Sequence, residues 1–363
     1  MMLSLFSYLL LGFAFFVWLG SVLFAVLGRY YRRTERYAPE TKRHFNPNVL
    51  VILPCKGTDI TIGTNMLSLR AQLYDNYRIV GVVDSETDPA VEYMREAGIG
   101  YIISDKRYNK CSGKVRNLLS VFEKFRFYDI YVVVDADVTA ATDWLSKLIT
   151  PLSDPSIGVS TTYPYFNPVG GFWSEVKKVW NFVGEGMMES VKTRFVWGGS
   201  MAFKRELVDK ELLLKMSSAV SDDIEVARAC KRRGLRIFYV KEKIACVNVI
   251  ENFWTFMEWA NRQTALSVSA NRKLITYGKF IYGAECLLIL LGVTLPFFYG
   301  PIWFILLIPA IIKMWAAYSK SQDNRLLAIP ISIMVQSIYL YNITKAGRMK
   351  SIKWRGVEYK LYR

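Results

Sequence analysis

The chain has 363 residues, 52% of them hydrophobic and 15% aromatic, with a formal net charge of +16. That is enough for one sizeable α/β domain plus further elements. One histidine (His44) and five scattered cysteines (Cys55, Cys111, Cys230, Cys246, Cys286) without a C-x-x-C pair argue against Ser-His-Asp chemistry, His-ligated metals, a zinc site and a disulfide framework, and fit a reducing compartment. Acid–base work then falls to carboxylates. Much of the basic excess borders apolar segments (Arg29, Arg32, Arg33, Arg36; Lys345, Arg348, Lys350, Lys353, Arg355). This placement suits anionic lipid and membrane orientation, and no nucleic-acid motif accompanies it.

Residues 3–28 are almost wholly apolar and long enough to span a bilayer. A signal peptide would have a shorter apolar core preceded by basic residues. Here the basic cluster follows, so an uncleaved anchor with its N-terminus outside is expected. After a polar linker, apolar runs at 49–53, 79–83, 101–103 and 130–134 alternate with helix-length segments, the pattern of βαβ units and a parallel sheet. Each run ends in polar residues: Pro54-Cys55-Lys56-Gly57, Asp84, Ser104-Asp105, and Asp135-Ala136-Asp137. In open α/β sheets ligands bind at this edge. Two Asp one residue apart suit a hard divalent cation holding a diphosphate, although an Asp-x-Asp also starts ordinary turns. Turn chemistry suffices for Asp105.

A weaker strand is expected over 158–163. Residues 172–193 read as one helix with Trp173, Val176, Val179, Trp180 and Val183 on a single face. Trp197-Gly198-Gly199-Ser200 makes a tight turn that permits close approach of a ligand. Ser221-Asp222-Asp223 opens a helix, with Ser221 as cap, acids in the first turn, and Lys231, Arg232, Arg233 and Gly234 at its end. Over 251–270, Phe253, Trp254, Phe256, Met257 and Trp259 mix with Glu258, Asn261 and Arg262, which fits either an interfacial helix or a buried amphipathic one. Apolar segments follow at 280–298, 302–318 and 326–344. With the N-terminus outside, three further spans would leave the basic tail outside, against the positive-inside tendency. Pro330 and Gln336 make the last segment the weakest, and an interfacial or re-entrant course is favoured for it.

Six motifs in order resemble membrane-bound glycosyltransferases of family 2, most closely the ceramide glucosyltransferase-like branch, family 21. They are Pro54-Cys55-Lys56-Gly57-Thr58-Asp59, Val83-Asp84-Ser85-Glu86-Thr87-Asp88-Pro89-Ala90, Lys114-Val115-Arg116-Asn117-Leu118, Asp135-Ala136-Asp137, Ser221-Asp222-Asp223, and Trp354-Arg355-Gly356-Val357-Glu358-Tyr359. One departure stands out. The family's (Q/R)-x-x-R-W motif should fall near Trp259, and only that Trp is kept.

The resemblance implies an α/β GT-A fold, Rossmann-like with a mostly parallel sheet. It implies an inverting hexosyltransferase with a nucleotide-sugar donor, UDP-glucose or similar, and a membrane lipid acceptor. Pro54, Lys56, Gly57, Asp84, Lys114 and Asp135 would hold the donor. Asp137 with Asp135 would ligate Mg²⁺ or Mn²⁺, and Asp223 would be the general base beside Asp222. Gly198, Gly199, Ser200, Trp259 and Arg262 would border the acceptor. The implied layout is an anchor at 1–30, a cytosolic catalytic domain at 45–250, an interfacial helix at 251–275, membrane helices at 278–345 and a basic cytosolic tail at 346–363, in a multi-pass protein. The competing readings are a polyprenyl-phosphate sugar synthase, a polysaccharide synthase, and an inactive sugar-nucleotide-binding membrane protein. A small transporter would carry inverted repeats, and the sequence has none.

Overall fold

A computed structural model describes residues 5–34, 45–354 and 356–361. Arg36, His44 and Arg355, and the side chains of Arg29, Arg32 and Arg33, on which some expectations rest, lie outside the described residues. After α1 (Leu5–Thr34), a first half alternates strand and helix: β1 (Val49–Pro54), α2 (Ile62–Arg70), β2 (Tyr77–Val83), α3 (Ala90–Glu96), β3 (Gly100–Ile103), α4 (Gly113–Lys124) and β4 (Ile130–Val134). All four expected runs are strands. They are continuously apolar because both sheet faces are covered. Val49, Val51 and Leu53 enter one buried cluster, and Leu50 and Ile52 enter the other.

The second half adds β5 (Val138–Ala140), α5 (Trp144–Ile149), β6 (Ile157–Thr162), β7 (Tyr165–Gly170), α6 (Phe172–Trp180), α7 (Phe182–Met188), β8 (Ser200–Lys204), α8 (Lys210–Met216), α9 (Asp222–Arg232), β9 (Arg236–Val240) and β10 (Ala245–Ile250). The main sheet has the order β3-β2-β1-β4-β8-β6-β9. Its pairs are parallel except those made by β8, which runs against β4 and β6. A small sheet, β5-β10-β7, lies beyond the C-terminal end of β4.

The single helix expected over 172–193 is two short ones, with the break at Asn181. The Asn181 amide donates to the Lys177 carbonyl (2.7 Å) and accepts from the Tyr163 hydroxyl (2.7 Å). Such local bonding competes with the helix ladder, and Gly184 and Gly186 weaken the helix beyond the break. Gly184 sits so close to Tyr163 that a Cβ there would lie 2.3 Å from its hydroxyl. Val176 and Val179 are buried as expected, whereas Val183, beyond the break, is exposed.

The chain ends with α10 (Phe253–Ala270), α11 (Lys273–Tyr299), a 3₁₀ stretch (Pro301–Leu307), α12 (Ile308–Lys320), α13 (Arg325–Ala346) and a hairpin of β11 (Ser351–Trp354) and β12 (Val357–Lys360). Among the described residues, Lys273–Tyr299, Pro301–Lys320 and Arg325–Ala346 are long and apolar enough to cross a membrane. In α1, the stretch whose side chains are described, Leu5–Gly20, is apolar as well.

Phe203 on β8 is fully buried against Phe122 (6.2 Å between centroids) and Tyr131 (6.0 Å). Phe203→Ala is expected to destabilise the domain by about 3–5 kcal/mol, read as a lowered midpoint in denaturant or heat.

Candidate active site

β1, β2 and β4 are parallel neighbours, so Lys56-Gly57, Asp84 and Asp135-Ala136-Asp137 all emerge at one edge. The reversed direction of β8 brings its beginning to the same place: Ser200 pairs with Val134, and the Asp135 N–H donates to the Gly199 carbonyl (3.1 Å). Gly198 and Gly199 therefore lie beside the Asp-Ala-Asp stretch, and the first turn of α9 adds Asp222 and Asp223.

Lys114, in the first turn of α4, sits at the centre of this group. Its Nζ lies 2.7 Å from Asp135 Oδ1, 3.4 Å from Asp222 Oδ2 and 2.9 Å from the Gly198 carbonyl. Burial works against its charge, but Asp135, Asp222, the hydrogen bond to Asp135, and Asp223 together outweigh it and raise the ammonium's pKa. Asp222 is pushed up to about 6, first by burial, against Lys114 and with Asp223 and Asp135 adding. Asp223 Oδ2 accepts from the Gly198 N–H (3.2 Å), and Oδ1 from the Ile224 N–H (2.7 Å) and the Ser221 hydroxyl. Ser221 thus holds the Asp223 carboxylate rather than capping α9, as expected of it; its side chain takes no backbone N–H.

On the other side of α4, Asp84 Oδ1 accepts from Arg116 Nη2 (2.7 Å) and the Ser104 hydroxyl (2.8 Å), with Lys56 Nζ 4.0 Å from Oδ2. Gly57 has φ +70°, a region open to glycine at little cost. Its N–H is held by both oxygens of Asp88 (3.0 and 3.1 Å). Pro54, the last residue of β1, sets this turn in place.

Asp137 faces a different space. Its Oδ1 is buried without a hydrogen-bond partner. Burial, then Asp135 and Asp59, push its pKa up to about 7, against Lys177 and Lys114. It opens on a cavity of ≈ 460 Å³ lined also by Asp59, Lys177, Asn248 and Glu251. Lys177 is buried, 2.6 Å from Glu251 Oε1 and 4.4 Å from the centroid of Trp259.

These features sit in a chain that a family model describes from end to end: residues 13–363 match glycosyl transferase family 21. The chain belongs to that family. In fold, this glycosyltransferase is similar to a mannosyltransferase from Pyrobaculum calidifontis solved with GDP-Man and Mn²⁺ (TM-score 0.53, 16% identity, 92% of this chain and 96% of that one). A weaker match is glucosyl-3-phosphoglycerate synthase from Mycobacterium tuberculosis, solved with Mn²⁺, UDP-Glc and phosphoglyceric acid (TM-score 0.43, 16% identity, 62% of this chain and 79% of that one).

Of the residues singled out in the sequence, the glycosyltransferase gathers Lys56, Gly57, Asp84, Lys114, Asp135, Asp137, Gly198, Gly199, Asp222 and Asp223 at one edge. Ser200 does not join them. It is fully buried, and its hydroxyl accepts from the Trp144 indole N–H (2.8 Å), because it is already the first residue of β8. Trp259 packs edge-on to Trp180 (5.1 Å) and Phe166 (5.9 Å), so it reaches the Asp137 cavity through Lys177. Arg262 lies over Trp354 of the C-terminal hairpin (5.7 Å). Asp105 pairs with Arg107 in its own loop (2.7 Å), the turn role expected.

Lys177 and Glu251 were not singled out, and Asp88, Arg116 and Tyr359 stood within quoted motifs without a role of their own. Arg116 was legible in principle, two residues beyond Lys114 on the same helix. Lys177 and Glu251 meet across 74 positions of sequence, and Tyr359 takes the Gly113 N–H (3.3 Å) across 246. No local signal marks such pairs.

A Cβ on Gly198 would lie 3.2 Å from each of Asp222 Oδ2, Asp223 Oδ2 and Lys114 Nζ. Gly198→Ala is therefore expected to cut glycosyl transfer at least about tenfold by spreading these charges (~1.4 kcal/mol in the barrier), while the thermal midpoint changes little. An unaltered turnover number would refute the tight packing of this cluster.

Proposed function

We propose that the chain moves a hexose from a nucleotide-sugar, UDP-glucose or a close relative, onto the hydroxyl of a membrane lipid, as in the ceramide glucosyltransferase-like branch. The observation that carries this reading is the cluster of Lys114, Asp135, Asp222, Asp223 and Gly198 at the C-terminal edge of a parallel-dominated sheet. The donor's nucleoside would lie by Asp84, Arg116, Lys56 and the Gly57 turn, and its diphosphate towards Lys114 and Asp137.

The donor set at Asp137 fits a divalent metal. A buried carboxylate oxygen lacks a partner, and such an unmade interaction is costly unless a ligand supplies it. Among the described residues no three-ligand cage exists, which matches Mg²⁺-type binding through one or two carboxylates plus substrate phosphates. Asp137, with Asp135, would hold the ion. Bound there, it would offset charge on the departing diphosphate, a contribution of several kcal/mol. The mannosyltransferase of similar fold was solved with Mn²⁺ beside GDP-Man.

Asp223 is the general base of this reading. Its two backbone N–H contacts and Ser221 fix the carboxylate, and Gly198 leaves room in front of it. As the acceptor oxygen bonds to the sugar's anomeric carbon, the bond to the diphosphate breaks and the hydroxyl proton passes to Asp223. Asp222, paired with Lys114, positions the ammonium rather than taking the proton. The Asp137 cavity carries three carboxylates (Asp59, Asp137, Glu251) against one lysine. The catalytic domain (45–250) would face the cytosol, held at the bilayer by the anchor at 1–30, the interfacial helix at 251–275 and apolar helices within 278–345.

Asp223→Asn is expected to abolish transfer to lipid while leaving nucleotide binding nearly unchanged, measured by product formation and by calorimetry. Turnover by that variant would remove Asp223 from the role of base. A second expectation concerns pH. Asp137 and Asp222 keep their protons to a higher pH folded than unfolded, where the carboxyl pKa is 3.8. Their contribution to stability is thus full below about pH 4 and lost as pH rises through about 6 and 7. Metal binds the deprotonated Asp137, so Mn²⁺ should raise the thermal midpoint more at about pH 8 than at about pH 6. Equal shifts at both would count against Asp137 as a ligand.

A further inference from the structure

Three segments of the C-terminal region have the length and hydropathy of membrane spans, yet their contacts separate them into two kinds. α13 is the one most covered by protein, by α6 and α10 as well as by α11 and α12. In its candidate window 44% of residues are buried, against 22% for each of the other two. Ala328, Ile331 and Val335 pack with Val176 and Phe256 of α6 and α10. Further along, the Asn342 amide donates to Asn261 (2.9 Å) and accepts from Trp180 (3.2 Å), and Ile343 and Ala346 meet Ala265 and Val268. These contacts run for about 28 Å of helix at 1.5 Å per residue. A helix bound lengthwise to α6 of the catalytic domain and to α10 stays with them instead of crossing a bilayer on its own.

Both ends of α13 are also tied to that domain. At its start, Tyr165 donates to Asp323 (2.7 Å), Lys178 to the Asp323 carbonyl (3.1 Å), and Asn324 to Glu175. Beyond its end, the C-terminal hairpin reaches the first turn of α4 through Tyr359.

α11 and the stretch after it differ. No charged residue occurs between Glu285 and Lys313. The turn between them, at Gly300-Pro301, is flanked by Phe297 and Phe298, which are 82% and 78% exposed, and by exposed Ile302, Phe304 and Ile305. The turn offers no charged side chain, and its polar tips are those of half-exposed Tyr299 and buried Trp303. Its backbone is largely satisfied internally, with the Gly300 N–H on the Pro296 carbonyl (3.1 Å), the Trp303 N–H on the Gly300 carbonyl (3.4 Å), and Pro301 lacking a donor. That is the condition for a turn to remain in hydrocarbon. The charge-free part of α11, residues 286–299, rises only about 21 Å, less than the about 30 Å of a hydrocarbon core. At the hairpin's base Lys313 bonds Glu285 and Gln336, where α11, α12 and α13 meet.

From these observations we infer that residues 286–312 enter the bilayer as a helical hairpin from the catalytic side and return to that side without crossing, with the Gly300-Pro301 turn inside the hydrocarbon. α13 stays out of the membrane core as part of the catalytic body. Leu10, Leu11, Ala14 and Val17 of α1 pack on the hairpin's outer part at Leu288, Leu295, Trp303 and Leu306, so the anchor and the hairpin share the same slab of lipid. The tail then lies beside the active site, in keeping with its basic charge.

The test uses the full chain in sealed vesicles of known orientation and a membrane-impermeant maleimide, with the parent protein as the blank for native cysteines. Phe298→Cys and Ile302→Cys should resist labelling from both sides and react only after detergent is added. Gln322→Cys and a cysteine added after Arg363 should both react from the catalytic side. Labelling of either tip variant from the opposite side would establish a crossing and overturn the inference, as would a C-terminal cysteine reached only from that side. Tip labelling from the catalytic side without detergent would overturn it differently, by placing the hairpin in water. None of these readouts depends on transfer activity, so they stand or fall separately from the proposed reaction.

Discussion

The candidate site at this edge depends on one buried ammonium, that of Lys114. Asp135, Asp222 and Asp223 all act on Lys114, and carboxylates gathered in this way repel one another unless a cation stands among them. Lys114 supplies the compensating charge and also binds the Gly198 carbonyl, which ties the glycine turn to the carboxylates. Breaking such a pair leaves an uncompensated buried charge, a penalty of about 3–5 kcal/mol. Because Lys114 sits in the first turn of α4, the placement of that helix decides the geometry of the whole site. Two residues later Arg116 fixes Asp84, so a single helical turn joins both halves of the edge.

The placement of α4 is in turn secured from far away in sequence. Ser112 accepts the Val115 N–H at its cap, and Tyr359 accepts the neighbouring Gly113 N–H. A helix start normally leaves such donors unmade, and here the last strand of the chain takes one of them. The hairpin that carries Tyr359 stands where it does because α13 lies along α10 and α6. The apolar C-terminal region therefore contributes to the catalytic edge as well as to any lipid contact. α6 shows the same double use, with Lys177 at the Asp137 cavity and its neighbour Lys178 on the α12–α13 turn.

The α/β half of the fold was legible because its information is local. Strands buried on both faces must be apolar throughout, and the four runs ending in Pro54, Asp84, Ser104 and Asp135 announced both the strands and the edge. The break in the helix over 172–193 was not legible, because it comes from a side chain, Asn181, bonding a tyrosine outside that helix. Ser200 escaped for a related reason: a Gly-Gly-Ser turn looks open in sequence, but the Ser already belongs to β8 and faces Trp144. The status of α13 was only half legible, since an apolar helix reads alike whether lipid or protein covers it.

By itself, then, the sequence determined the strands of the first half and their parallel character, the carboxylates that end those strands, the family, and the presence of apolar segments long enough for a membrane. Each of these comes from residue type at short spacing. The tertiary structure alone decided which charges meet: Lys114 with Asp222, Arg116 with Asp84, Lys177 with Glu251, Tyr359 with Gly113. It also decided which apolar helices the protein itself covers. Those outcomes rest on contacts between residues tens to hundreds of positions apart, whose energies depend on burial and distance that no local pattern encodes.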